Sequence, residues 1–106
     1  MKRGEIWWVN FDPSIGGEIQ KQRPAVIVSN DISNKYLNRV QVVPVTSKVD
    51  KLYQSEAYIV VGGKQGKAMA DQLATVSKQR LLTMIGRVTK LEIQAIERAI
   101  RTQLEL

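Results

Sequence analysis

An arginine stands directly before a proline in QKQRPAVIVSND, residues 20–31, at the mouth of an apolar run. Proline holds the residue before it in extended backbone. Arg23 therefore belongs at a strand entrance, where a long cation can be aimed. Thr46 and Ser47 close the apolar run VVPVTS and offer hydroxyl donors. Glu18 precedes Arg23 in a polar stretch and offers a base. Together these residue types suit one chemistry, phosphodiester cleavage without metal. RNA carries its own nucleophile, the 2′-hydroxyl. The protein then needs a base, a cation on the phosphate and a donor for the developing charge. The plainer alternatives are a surface ion pair between Arg23 and Glu18 and ordinary strand-end hydroxyls at Thr46 and Ser47.

The rest of the composition narrows the field. Histidine and cysteine are both absent. That removes the commonest general base, the commonest metal ligand, disulfides and thiolate zinc sites. The acids Glu5, Asp12, Glu18, Asp31, Asp50, Glu56 and Asp71 are scattered singly, whereas a two-metal nuclease needs carboxylates close together. GGKQGK has glycines but no helix after it, so it is not a P-loop. No metal and no cofactor is expected. The formal charge of +6, from 16 Lys and Arg against 10 Asp and Glu, favours a polyanion, nucleic acid first. Solubility alone accounts for such a charge about as well.

Many short strands and one helix must position these groups. EIWWVNF (5–11) is read as a strand. Adjacent Trp7 and Trp8 point to opposite faces of it, one into the core and the other free to stack on a base. Pro13, Gly16 and Gly17 break DPSIGGEIQKQ (12–22) into a loop, long enough to be functional. RPAVIVSND is the second strand, its core face either Ala25 with Ile27 or Val26 with Val28. DISNKYLNR (31–39) is read as a turn region. RVQVVPVTS (39–47) is a third strand, with Pro44 marking an edge or a bulge. After the polar loop 48–55 comes the strand EAYIVVG (56–62), with GGKQGK (62–67) as its hairpin turn. AMADQLATV (68–76) is read as one strand, SKQRLL as a helical turn capped by Ser77, and TMIGRV (83–88) as a last strand. Thr89 with Glu92 forms a capping box. Leu91, Ile93, Ile96, Ile100 and Leu104, beside Ala95 and Ala99, then follow helical spacing. The pattern predicts a mainly β domain over residues 1–106, a small β-barrel with a C-terminal helix. No apolar run is long enough to span a membrane, and the N-terminus reads straight into a strand without a leader. The cytoplasm is the expected location.

MKRGEIWWVNFDPSIGGE, RPAVIVSND, VVPVTS and ADQLATVSKQRL, in this order, resemble the MazF/PemK family of toxin endoribonucleases. The resemblance runs from Arg3 to the C-terminal helix. It implies an SH3-like β-barrel, related to that of CcdB, acting as a homodimer. It implies metal-independent, sequence-specific cleavage of single-stranded RNA, held in check by a cognate antitoxin. The catalytic arginine and threonine of the MazF branch map onto Arg23 and Thr46, and the loop glutamate onto Glu18, with Asp71 and Ser47 in support. Trp8, Asn10, Lys21, Lys48, Gln72 and Lys78 become the RNA-binding candidates. The Kid/PemK branch has a histidine before the loop glutamate and an arginine two residues before the Asp–Gln pair. Gly17 and Met69 stand there instead, which leaves catalysis to Arg23 and Thr46. The rival expectations are a CcdB-like toxin acting on DNA gyrase and a non-catalytic nucleic-acid binding module.

Overall fold

The computed structural model describes residues 1–106. In chain order the elements are β1 (Glu5–Asn10), β2 (Gln22–Ile27), α1 (Asp31–Tyr36), β3 (Arg39–Thr46), β4 (Glu56–Val61), β5 (Lys64–Met69), β6 (Ala74–Ser77), β7 (Leu81–Arg87) and α2 (Lys90–Leu104). Single 3-10 turns lie at Ala70–Gln72 and Lys78–Arg80. All strand pairs are antiparallel. The order along the sheet is β4-β5-β3-β2-β1-β7, with β6 also paired to β3. The sheet curls into a half-barrel, with α2 against it.

β3 sits at the centre of this curl, so of the two readings of Pro44, an edge or a bulge, the edge is overturned. Its first half, Arg39–Val42, pairs with β6, and its end, Val45 and Thr46, pairs with β5. Pro44 lies where the partner changes. A residue without an N–H costs no ladder bond at such a corner. Nor is there a choice of core face on β2. Val26 and Val28 pack in one apolar cluster with Ile6, Ile59 and Ile96. Ala25 and Ile27 pack in another with Val9, Val40 and Val42. A strand covered on both faces reads as a continuous apolar run.

Three further expectations are corrected. Residues 31–36 form a short helix, α1, capped by the Asn30 side chain on Ser33 N–H and anchored by buried Asn34. Gly62 and Gly63 alone make the hairpin turn, both at positive φ. Lys64–Gly66 is therefore strand, and the stretch 68–76 divides into the end of β5, a 3-10 turn and β6. The Ser77 cap and the Thr89–Glu92 capping box form as expected. On α2 the packed face is Ile93, Ala95, Ile96, Ala99 and Ile100. Leu91 and Leu104 sit off it, exposed.

The RGEIWW stretch is a staple for the chain start. Gly4, at φ 92°, donates to the carbonyl of Ile27 and accepts from Val88 N–H. The buried Glu5 carboxylate accepts from Lys2 N–H at 2.9 Å, from the Trp7 indole at 3.0 Å and from Arg87 at 3.3 Å. Burial pushes this carboxyl up, but these donors and the N-terminal ammonium outweigh it and hold it below the ordinary glutamate value. A carboxylate with a depressed folded-state pKa stabilises the fold above its unfolded value and loses that contribution as pH falls through the folded one. Urea midpoints measured from pH 6 downward should therefore fall once the pH drops below about 4. Glu5→Gln should start less stable at neutral pH and decline less steeply. Equal pH slopes for the two proteins would remove Glu5 from the acid response.

Candidate active site

The cleft forms where β2 and β3 part. Their pairing ends at Ala25 opposite Pro44. Beyond that point β2 continues back through Pro24 and Arg23, paired only to β1. β3 turns toward β5 instead. The two prolines thus stand at the lip of the gap. Pro24 lies opposite Trp8 in the β1 ladder, and its missing N–H falls on the side where no partner strand remains. The gap is about 410 Å³ and is lined by Trp8, Lys21, Arg23, Thr46 and Ser47, with Lys64, Gln65 and Gly66 on the far wall.

Three cations line this cleft, Lys21, Arg23 and Lys64, and no carboxylate does. Arg23 forms no ion pair with Glu18 or with any other acid. Its Nε donates to the carbonyl of Gln20 at 3.1 Å, which fixes the side chain and leaves the guanidinium charge uncompensated. A half-buried, unpaired guanidinium in a cationic cleft is built to receive an anion. The Thr46 hydroxyl accepts from Lys48 N–H at 3.3 Å, so its own proton is free to donate. Trp8 is exposed at the cleft, whereas Trp7 is half-buried with its indole on Glu5. A ring with an open face at the cleft is a stacking surface for a base.

Lys64 and Gln65 fall within GGKQGK, which the sequence reads as the hairpin turn. A two-residue Gly-Gly turn, the commonest hairpin connection type, would have placed them on a strand. Gly66 is needed beside them. A Cβ there would meet Val45 Cγ1 at 2.8 Å and the Thr46 carbonyl at 3.1 Å. Lys67 is no surface lysine. It is buried, with its ammonium donating to the Lys51 carbonyl at 2.5 Å and the Glu56 carboxylate at 2.9 Å. It ties the loop after Thr46 to the sheet.

The other candidate residues lie elsewhere. Glu18, Asp71 and Gln72 line a separate cavity of about 290 Å³ beneath the 12–21 loop, together with Arg80. Glu18 accepts from Ile15 N–H at 2.7 Å. Gln72 holds the loop, accepting from Ile19 N–H and donating to the Gly17 carbonyl. The Asn10 side chain accepts from Asp12 N–H. Lys48 is exposed next to Thr46 and outside the cleft lining. Lys78 lies with Lys2, Asp31 and Lys35.

Comparison with known proteins places the chain in a family. Residues 2–104 match the family described as PemK-like, MazF-like toxin of type II toxin-antitoxin system. The chain belongs to this family. Endoribonuclease MazF9 of Mycobacterium tuberculosis is 41% identical, over 100% of this chain and 98% of that protein. The endoribonuclease toxin MazF of Escherichia coli is 34% identical, over 89% and 85% respectively. Among solved structures, MazF from Deinococcus radiodurans superposes with a TM-score of 0.89, covering 100% of this chain and 97% of that one at 23% identity. A mycobacterial endoribonuclease in complex with its cognate antitoxin gives 0.84, covering 100% and 96%, also at 23%. The half-barrel with its C-terminal helix is therefore the fold of MazF toxins.

Proposed function

We propose that this toxin is a metal-independent endoribonuclease that cuts single-stranded RNA at a short sequence in the β2–β3 cleft. The observation that carries this is the placement of Arg23 and Thr46 in one cationic cleft that contains no carboxylate. The endoribonuclease names of relatives matching most or all of the chain support it. No group of three or more His, Cys, Asp or Glu side chains that could hold a metal ion occurs in the fold.

In this mechanism the 2′-oxygen forms a bond to phosphorus and the bond to the 5′-oxygen breaks. Arg23 neutralises the phosphate and donates a hydrogen bond to the departing oxygen. The Thr46 hydroxyl donates to a non-bridging oxygen as negative charge builds in the pentacoordinate phosphorane. Glu18, the candidate base of the sequence, lies outside the cleft, so in this arrangement water accepts the 2′-proton and water protonates the 5′-oxygen. The products are a 2′,3′-cyclic phosphate and a 5′-hydroxyl. Lys21 and Lys64 hold flanking phosphates, and Trp8 stacks on a base.

Two copies meet through exposed sheet edges and α2, and an antitoxin with an acidic, apolar-anchored tail occupies the cleft in the resting cell. The cytoplasm, where RNA is accessible, is the site of action. The test is a long single-stranded RNA and a DNA of matching sequence, each incubated with the protein in EDTA. RNA alone should be cut, always at the same short sequence. Cleavage that needs added metal, or intact RNA with every base triplet represented, would contradict the mechanism.

A further inference from the structure

Arg80 has a role that its place at the end of a 3-10 turn does not announce. It is half-buried and pairs with no carboxylate. Its Nη1 donates instead to two main-chain carbonyls at the start of the 12–21 loop, that of Asn10 at 3.0 Å and that of Asp12 at 2.5 Å. From there a chain of hydrogen bonds crosses the loop base. The Asp12 carboxylate accepts from Lys21 N–H at 2.9 Å, while the Lys21 carbonyl accepts from Phe11 N–H at 2.9 Å. Lys21 is held by these two bonds at φ 67°, a conformation that a non-glycine residue keeps only when its surroundings impose it. The preceding residue, Gln20, presents the carbonyl that receives Arg23 Nε.

We propose that Arg80 is a positioning residue for Arg23, acting through Asp12, Lys21 and the Gln20 carbonyl. It touches no substrate, since it lines the cavity under the loop and not the cleft. A guanidinium fits the task because its Nη1 carries two N–H groups and one nitrogen can satisfy both carbonyls at once. Without it, the loop base is free to shift and the Gln20 carbonyl moves off Arg23. The inference rests on Arg23 being the phosphate-binding cation.

The test uses the full-length protein with Arg80→Ala, Arg80→Lys, Asp12→Ala and the Arg80→Ala/Asp12→Ala double variant. Asp12 is exposed, so its variant breaks the next link without opening the interior. Two readouts are taken. One is the 15N–1H signal of Arg23 Nε, assigned by its loss in Arg23→Ala, which needs no RNA. The other is single-turnover cleavage of an RNA oligonucleotide alongside its binding constant. Arg80→Ala and Asp12→Ala should both shift the Arg23 signal in the same direction. Both should slow cleavage at saturating RNA by about 10- to 100-fold, with binding changed less than about 3-fold. The double variant should be no slower than the slower single one, because both cut one chain. Arg80→Lys should recover part of the rate. An unmoved Arg23 signal in both single variants overturns the proposal. So do equal losses in rate and binding, which would make Arg80 a phosphate contact. If the parent protein cuts no RNA, the proposed activity fails, and the Arg23 signal still decides the positioning.

Discussion

Arg23→Ala should lower single-turnover cleavage of an RNA oligonucleotide by about 100- to 1,000-fold, the usual cost of losing one group that stabilises transition-state charge. The fold should tolerate the change. The Arg23 side chain makes one hydrogen bond, to Gln20, and no ion pair. Its urea midpoint should therefore stay close to the parent value. Binding should weaken less than the rate, and the slope of affinity against salt should fall by about one phosphate contact. Arg23→Lys should keep the salt slope and recover only part of the rate, because an ammonium lacks the planar fork. A rate loss matched by an equal loss of binding would make Arg23 an RNA anchor with no part in the chemistry.

Lys67→Ala should destabilise the fold by about 3–5 kcal/mol, the cost of leaving one half of a buried ion pair. The partner is Glu56, and both side chains are almost fully covered. The Tyr53 ring also faces the ammonium at 5.5 Å. Against a total of about 5–15 kcal/mol for a domain of this size, such a loss would leave a protein near its unfolding threshold. Removing both charges, as Lys67→Met with Glu56→Leu, should return most of the stability, since an apolar pair of similar volume needs no compensation. The double variant would still lack the bond to the Lys51 carbonyl, so the loop following Thr46 should be looser. Urea denaturation of the parent, Lys67→Ala and the double variant makes the comparison. A loss below about 1 kcal/mol for Lys67→Ala would place this pair among exposed ones.

How much of this was legible in the sequence depends on what each residue answers to. The Thr89–Glu92 capping box and the Ser77 cap are local rules, and both formed where the spacing put them. Pro24 and Pro44 announced an interruption, but only pairing could say what kind. One marks the end of a ladder and the other a change of partner. The helix α1 was missed because its signal, Asn30 capping Ser33, sits in a run of polar residues that reads equally as a turn. Trp8, Arg23, Thr46 and Ser47 could be named from type and position, and the cleft brings them together. Lys67 and Lys64 look alike in the sequence. The twofold alternation along β5 decides which is buried with Glu56 and which faces the cleft, and the turn that sets it ends at Gly63, four residues before the Lys67 of the sequence reading. Glu18 is read as a partner of Arg23 from its place in the preceding loop and from the family's loop glutamate, whereas the bonds made by Gln72 and Arg80 hold the loop over a different cavity.

The most direct test of RNA as its own nucleophile is the chemistry of the cut ends. An RNA oligonucleotide containing the cleaved sequence would be digested in EDTA, beside a copy bearing a single 2′-deoxynucleotide on the 5′ side of the scissile bond, and the fragments weighed by mass spectrometry. Attack by the 2′-hydroxyl predicts a 2′,3′-cyclic phosphate and a 5′-hydroxyl from the first, and no cut at that bond in the second. A 3′-hydroxyl with a 5′-phosphate, or cleavage of the deoxy copy, would mean that water attacks the phosphorus directly and that the Arg23–Thr46 cleft performs a different reaction.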